Sequence, residues 1–536
     1  MMKMKRCLAV LTALCLILTG LCGCGRKQAA ETGAAPTAGS AQESTSSTRA
    51  ADDGKITMTG LAWASPQGGD NTDCYGWDEY EKISNVHMEW ENVPNDILAE
   101  RKSTVMASGS LPDIMYGLSF SNSELIRYGS QGLLLPLDEY LENAPNFSSL
   151  LEQYPQIRQA ITMPDGHIYS LPFLKMGDNV RLMEMYVNQD WLNNLGMDYP
   201  ETLDEFTDML TAFRDQDANG NGDPSDEIPL SFRKSHLLPT VMSFFGLGNR
   251  GSVNQTLVDY NEKDNALRFI PSASEYKDML EYLHMLYEEK LLDNEVFTMS
   301  SSRDIVAKLT QDIVGVHADY TTNAGNLQDK FLALPLFTNA YGEKTWNRVL
   351  PMVDGIGAFV VSAKTEHPER ALQWADYFYS VEGQIMYNMG FEGVTYEYDE
   401  NGELTYTQEL LNNPDGLTLT QARAQYISFQ SGPGIMSDEY FKGAETYHTA
   451  VEGLPYYIDY IPKDVWSSFN YTYDENEEIT ALQTDIQSYV DEMTAAFITG
   501  TRPLEEWDAY VAEFENLRLD EFMGYVQKGY ERYSAD

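Results

Sequence analysis

"GIGAFVVSAKTEHPERALQWADYFYS", residues 355–380, carries two kinds of periodicity back to back. Its opening, 355–362, is an unbroken apolar run of the length and β-branched content of a buried strand. A few residues later Pro368 suits a first helical turn, and Leu372, Ala375 and Tyr379 recur at a spacing that puts them on one face. A buried strand feeding an amphipathic helix is the unit of an α/β layer. The pattern recurs elsewhere. "KITMTGLAW" (55–63) alternates like a strand. In "PETLDEFTDMLTAFRD" (200–215), Thr202 and Glu205 have capping-box spacing, and Phe206, Met209, Leu210 and Phe213 form one stripe. At 536 residues the chain exceeds what one core organises, so two or more domains are expected. No fixed-period repeat is seen, and no low-complexity tract follows residue 54.

The chain carries 82 acidic against 36 basic side chains, a formal charge of −46. This excludes nucleic acid as a partner, because phosphate binding needs basic patches, and it disfavours adsorption to anionic lipid. Residues 1–23 combine a basic "MMKMKR" with an apolar "CLAVLTALCLILTG", as a signal peptide does, and the apolar run is short for a bilayer span. "LCGC" follows. It resembles the lipobox of bacterial lipoproteins, in which the cysteine takes a diacylglycerol and the leader is cut before it; here that cysteine is Cys24. Ordinary secretory cleavage is the alternative. The cysteines are Cys7, Cys15, Cys22, Cys24 and Cys74, so the mature body keeps Cys74 alone and has no disulfide to form. Residues 24–54 are Ala-, Ser-, Thr- and Gly-rich and read as a flexible tether, on the order of 100 Å when extended. These features point to an extracellular, membrane-anchored protein, with a Gram-positive surface the expected setting.

"DQDANGNGDPSDEIP" (215–229) crowds carboxylates and amides between glycines. Calcium takes six to eight such oxygens and wants a glycine turn at the sixth position. Two frames fit. One starts at Asp215, with Asp217, Asn219, Gly220 and Asp226 at positions 3, 5, 6 and 12; the other starts at Asp217, with Asn219, Asn221 and Gly222 following. The absence of His and Cys turns the reading away from zinc. A solvated turn rich in Asp and Asn competes with calcium. A metal held here would clamp the end of a helix and do no chemistry, since no nucleophile or base stands nearby.

The same stretch resembles the calcium loop of family 1 extracellular solute-binding proteins, the oligosaccharide-binding lipoproteins of bacterial ABC importers. Further segments match in the family's order: "VMASGSLPDIMYG" (105–117), "YGSQGLLLPLDEYLENAPNF" (128–147), "GHIYSLPF" (166–173), "MYVNQDWLNNLGMDYPETLDEF" (185–206), "VDGIGAFVVSAKTEHPERALQWADYFYS" (353–380), "GFEGVTYEYDENG" (390–402) and "AAFITGTRPLEEWDAYV" (495–511). The resemblance implies two α/β lobes joined by a hinge, with ligand in the cleft and each lobe discontinuous in sequence. The expected division is 55–165 with 326–382 for one lobe and 166–325 with 383–536 for the other. It also implies a structural calcium held by Asp217, Asn219, Asn221, Asp223 through its carbonyl, Asp226 and Glu227. This loop has one more residue between Asn221 and Asp226 than the commonest form in the family. The implied partners are an oligosaccharide and separate permease and ATPase subunits, the chain itself acting as a monomer.

Sugars present hydroxyls and flat C–H faces, so their sites pair aromatic platforms with carboxylates and amides. Trp63, Asp113, Asp190, Trp191, Tyr320, Glu392 and Tyr396 stand at strand ends or turns and are the ligand candidates. Trp374 and Trp507 lie in helical patterns and read as packing residues. "GLGNRG" (246–251) matches a dinucleotide fingerprint but follows a helical-looking segment, not a strand. Competing readings are an extracellular glycosidase, a receptor of the same fold for peptides or other solutes, and a tethered adhesin.

Overall fold

The computed structural model describes residues 54–64, 71–251, 255–299, 301–322, 324–429, 431–443 and 446–535. The leader, Cys24 and the tether up to residue 53 lie outside the described residues. Gly54–Asp536 forms one compact unit. Its strands, in chain order, are β1 Ile56–Trp63, β2 Val86–Val93, β3 Ile114–Phe120, β4 Leu171–Met176, β5 Glu184–Asn188, β6 Ile228–Leu230, β7 Val258–Asn261, β8 Ala266–Phe269, β9 Val314–Asp319, β10 Phe331–Ala333, β11 Val353–Val361, β12 Tyr396–Tyr398, β13 Leu404–Tyr406 and β14 Gly434–Ser437.

Six of them form one sheet in the order β14-β4-β11-β3-β1-β2, and four form a second in the order β10-β5-β9-β6. In the first, β1 runs parallel to β2 and β3, β14 runs parallel to β4, and only β11 is antiparallel to its neighbours. The carboxyl ends of five strands therefore share one edge, where β11 begins. In the second sheet, Glu184 pairs with Asp319 and Phe331 with Asn188, while β6 follows β9 in parallel. Glu184, Asp319, Leu230 and Ala333 thus mark one edge, and Asn188, Val314, Ile228 and Phe331 the other.

Each sheet has its own core. Around the first, Trp77, Tyr116, Phe359, Trp374, Phe378 and Phe429 interlock, with Trp77 stacked on Trp374 at 5.6 Å and 16°. Around the second pack Trp191, Phe206, Phe213, Leu283, Trp346, Ile486 and Phe497. Two cores of this size are two lobes, because residues buried together desolvate together. Trp374 is a packing residue, and Trp507 packs against Tyr510 at 5.1 Å beside the second core.

The two helices expected from sequence form. Helix Leu203–Asp215 starts at Thr202, whose Oγ1 accepts the Glu205 amide at 3.2 Å. Glu205 does not return the bond to Thr202; it takes the amide of Glu201 at 2.7 Å, one residue further out. Phe206, Met209, Leu210 and Phe213 are all buried, each stabilising by about 1.5–3 kcal/mol through the apolar area removed from water. Helix Pro368–Asp376 tightens into a 3₁₀ turn over Tyr377–Tyr379, so Tyr379 reaches the core from a different pitch than its helical spacing implied. "GLGNRG" follows a helix and a 3₁₀ turn, and the Gly248 amide donates to the Asp259 carboxylate at 2.7 Å, where a phosphate would have to sit.

Sheet membership corrects the expected lobe boundaries. β4 and β14 belong to the first sheet, although 166–325 and 383–536 were expected in the second lobe, and β10 belongs to the second sheet, although 326–382 was expected in the first. The chain leaves the first sheet after Met176, returns before Val353 and leaves again after Ser437. An apolar strand pattern does not say which sheet a strand joins, so the boundary was not readable.

Candidate functional site

The three crossing segments lie side by side. Leu182 bridges Val349, the Met183 amide donates to the Arg348 carbonyl at 2.9 Å, and the Leu350 amide donates to Arg181 at 2.9 Å. The Arg181 Nε adds a bond to the Leu350 carbonyl at 2.7 Å. Asp438, just past β14, accepts from the Asn179 amide at 3.2 Å, the Asn179 side chain at 3.1 Å and the Val180 amide at 3.0 Å. Gly177 makes that approach possible. Its φ is +133°, and an added Cβ would come within 2.4 Å of the Asp438 carboxyl. The Trp346 amide ties the second crossing to the third through the Tyr460 carbonyl at 3.0 Å. A narrow band of short, mutually bonded segments between two separately packed lobes has the build of a hinge.

The hinge-side edges of the two sheets face each other across this band. On the first lobe, Trp63 ends β1 half-buried, and Lys175 and Asp354 approach to 3.5 Å. On the second, Tyr320 follows β9, and the Lys175 Nζ lies 5.1 Å from its ring centre, a cation–π contact from one lobe to the other. Behind Tyr320 the Asp319 carboxylate accepts from Arg233 Nη2 at 3.0 and 3.1 Å. Burial, with Arg233 and Arg348 nearby, pushes His236 down to about 3. It stays neutral and donates from Nδ1 to the Ala318 carbonyl at 3.2 Å. Burial likewise lowers Arg348 to about 10. Aromatic faces beside fixed charges and neutral donors suit a polyhydroxylated guest.

The other edge of the second sheet carries the Asp/Asn/Gly loop. Gly220 and Gly222 take positive φ, +73° and +92°. Asn221 Nδ2 donates to Asp226 at 2.8 Å, the Gly222 amide to Asp217 Oδ2 at 2.9 Å, and the Ala218 amide to Glu227 Oε1 at 3.1 Å. Asp217 Oδ1 and Glu227 Oε2 are buried with no hydrogen-bond partner. Burial is the largest influence on Glu227 and raises its pKa, with Asp226 adding to the effect. The Asp215 carboxylate is turned to Arg214 at 2.7 Å, and the Asp223 side chain is held by Ser225 at 2.6 Å. Among the described residues no three carboxylate, imidazole or thiol side chains are gathered as a metal centre, so amide and carbonyl oxygens would have to complete any cation shell here.

The seven ligand candidates separate accordingly. Trp63 and Tyr320 stand at the facing edges. Asp113 stands at the start of β3, at the opposite edge of its sheet, accepting from the Thr59 amide and hydroxyl at 2.8 Å and from Thr365 at 2.7 Å. It joins strands and does not face the cleft. Trp191 is fully buried in the second core, edge-on to Phe213 at 5.2 Å. Asp190 is exposed at the far edge and pairs with Lys330 at 3.2 Å. Tyr396 is buried in the small cluster under the β12–β13 hairpin with Met389, Tyr406 and Leu410, and Glu392 is exposed beside it. These five were chosen by residue type near turns, and the strand direction sends them elsewhere. Sequence reasoning missed Lys175, Asp354, Arg233 and Arg348. Lys175 did leave a signal, as the one charge in the apolar run "LPFLKM".

A sequence profile described as "Bacterial extracellular solute-binding protein" matches residues 64–385. The chain is 26% identical over 473 residues to the fructooligosaccharide ABC transporter substrate-binding protein FusA of Streptococcus pneumoniae, covering 85% of this chain and 86% of that one. A structure described as a FusA EF-hand mutant in complex with fructo-nystose superposes with TM-score 0.73 at 24% identity, over 89% of this chain and 99% of that chain. A structure described as an HMO-binding, ABC-transporter-associated solute-binding protein from Bifidobacterium longum infantis gives TM-score 0.76 at 23% identity, over 90% of this chain and 100% of that chain. The polygalacturonan/rhamnogalacturonan-binding protein YtcQ of Bacillus subtilis is 23% identical over 453 residues, 82% of this chain and 84% of that one. With the profile spanning most of the first lobe and all of the second sheet, and with a hinge between two separately cored lobes, the chain belongs to the bacterial extracellular solute-binding proteins.

Proposed function

We propose that this protein is the receptor of an ABC importer and that it holds an oligosaccharide between its lobes without breaking a bond in it. The observation that carries this reading is the hinge. Three bonded crossings join two independently packed lobes, Lys175 of the first reaches the Tyr320 ring of the second, and Trp63 ends a strand at the same edge of the first sheet. Closure would bury the sugar from both sides, and the closed shape is what a permease can recognise. Membership of a family of solute-binding proteins, and FusA among the relatives, support the same reading. The lobe division that follows from strand membership is 54–176 with 353–437, and 184–333 with the C-terminal helices. We place the lipid on Cys24, so that the tether lets the body reach a permease from the outer face of the membrane.

The far-edge loop is proposed to hold calcium. The fit rests on two buried, unpartnered carboxylate oxygens, Asp217 Oδ1 and Glu227 Oε2, which a cation would satisfy. With Asp215 turned to Arg214, the frame beginning at Asp217 is favoured, and Asn219, Asn221, Asp226 and the Asp223 carbonyl complete the donor set. The ion would close the turn between helix Leu203–Asp215 and β6. An EF-hand mutant among the FusA structures is in keeping with it.

Calorimetry with oligosaccharide and peptide panels, paired with small-angle scattering, tests the receptor reading. Binding of a saccharide with a contraction of the protein on addition is expected. Release of reducing ends by the purified, calcium-replete protein, or peptide binding without sugar binding, would sink it. The relatives' names span fructooligosaccharides and polygalacturonan, a neutral glycan and a polyacid, so the charge of the guest must be read from this chain's own side chains.

A further inference from the structure

Beside the cleft, at the β4–β14 side of the first sheet, lies a cavity of about 360 Å³ lined by Phe173, Lys175, Asp354, Tyr387, Arg423 and Met436 among others. Phe173 and Lys175 are two apart on β4 and share a face, so both border it. Glycines flank Phe173 on both neighbouring strands, Gly355 on β11 and Gly434 on β14. An added Cβ at Gly434 would come within 2.9 Å of the Tyr387 ring, and one at Gly355 within 3.2 Å of Phe173 Cβ. The absent side chains leave Phe173 and Tyr387 stacked at 5.9 Å and 25° as an aromatic wall.

Arg423 is the unusual member. Only 8% of it is exposed. Its Nη1 donates to the Asn388 carbonyl at 3.0 Å and the Tyr406 hydroxyl at 3.3 Å. Among the described residues Nε and Nη2 have no protein partner, and no carboxylate pairs with it. A buried guanidinium without a counter-charge is costly, and burial of charge is ordinarily compensated by a partner. Two other guanidiniums in this protein are compensated in that way: Arg268 meets Asp259 at 2.7 Å and Arg233 meets Asp319 at 3.0 Å. The cavity holds two cations, Lys175 and Arg423, and one carboxylate, Asp354, already 3.5 Å from Lys175. It is left with one positive charge in a chain of −46.

We propose that this cavity is a subsite for a uronic-acid residue of the guest, with Arg423 binding its carboxylate and the Phe173 ring facing its C–H surface. The proposal rests on the oligosaccharide reading and sharpens it. One excess positive charge fits a monoanion; a phosphate monoester dianion would leave negative charge uncompensated. The free Nε and Nη2 edge offers the fork that a carboxylate fills with two parallel bonds. Lys175 lines this cavity and also reaches the Tyr320 ring, so it stands between the cavity and the second lobe's edge.

The test is calorimetry of the wild-type protein with trisaccharides of galacturonate, glucuronate and mannuronate, each against its carboxyl-reduced neutral counterpart. At least one acid should bind about tenfold or more tightly than its counterpart, the weight of a charge-assisted hydrogen bond. In Arg423→Gln that advantage should vanish, and Arg423→Lys should retain part of it. Equal binding of acids and reduced counterparts overturns the subsite and leaves the receptor reading standing, as does discrimination that survives Arg423→Gln. Failure of every one of these trisaccharides, acidic and neutral, overturns the subsite; the receptor reading falls only if the wider oligosaccharide panel fails as well. The wild-type comparison decides even where Arg423→Gln fails to fold through loss of its bonds to Asn388 and Tyr406.

Discussion

The two edges of the second sheet are built from the same strands, about 17 Å apart along β9, and they answer the problem of buried charge in different ways. At the hinge edge, one carboxylate is neutralised by a protein cation and the other by a proton. Asp319 has Arg233, and Glu184 takes up a proton, burial pushing it up to about 8 while the Tyr186 hydroxyl pulls the other way. At the far edge, Asp217 and Glu227 keep buried oxygens with no protein partner, as though awaiting a cation from solution. The hinge edge pairs Asp319 with a fixed cation and keeps Glu184 protonated, whereas the far edge leaves two oxygens placed for a cation.

The contrast can be broken at either end. The largest effect is expected from Glu184→Gln. With its folded pKa raised to about 8 against an unfolded value near 4.3, Glu184 is protonated in the folded state and ionised in the unfolded state between those values. The folded state then binds more protons, so the contribution is complete below about pH 4.3 and falls as pH rises through 8. Denaturant unfolding at pH 5 and pH 8 should show a difference about 3–4 kcal/mol larger in wild type than in Glu184→Gln. An identical pH response in the two proteins would mean that Glu184 is ionised in the fold.

Next is Asp217→Ala. At calcium a hundredfold above its Kd the wild-type loop would be stabilised by about 2.7 kcal/mol, and the variant should lose that increment and no longer respond to a chelator in thermal unfolding. Sugar affinity should hold, because the loop is at the wrong edge to touch the guest. Loss of affinity without loss of stability would erase the distinction between the edges. The smallest effect is expected from Tyr320→Ala, which should weaken sugar binding about tenfold, or ~1.4 kcal/mol, with little change in melting temperature. A large fall in stability instead would make Tyr320 a packing residue like Trp191.

The amino-acid sequence by itself determined the local elements and the chemistry of the loop. The 355–362 strand and the 200–215 helix are set by short-range periodicity and capping, and an Asp/Asn/Gly spacing is a property of a dozen consecutive residues. Trp374 was legible as core for the same reason. What only the tertiary structure decided was membership and direction. β4 and β14 join the first sheet, Trp191 and Tyr396 turn into cores, Asp113 pins strands, and Lys175 and Arg423 line one cavity from segments far apart in the chain. An apolar strand satisfies its hydrogen bonds equally well in either sheet, and a residue at a strand's end faces the cleft or the far side according to which way that strand runs. Neither choice is made by neighbours in sequence; both are made by what the two cores bury.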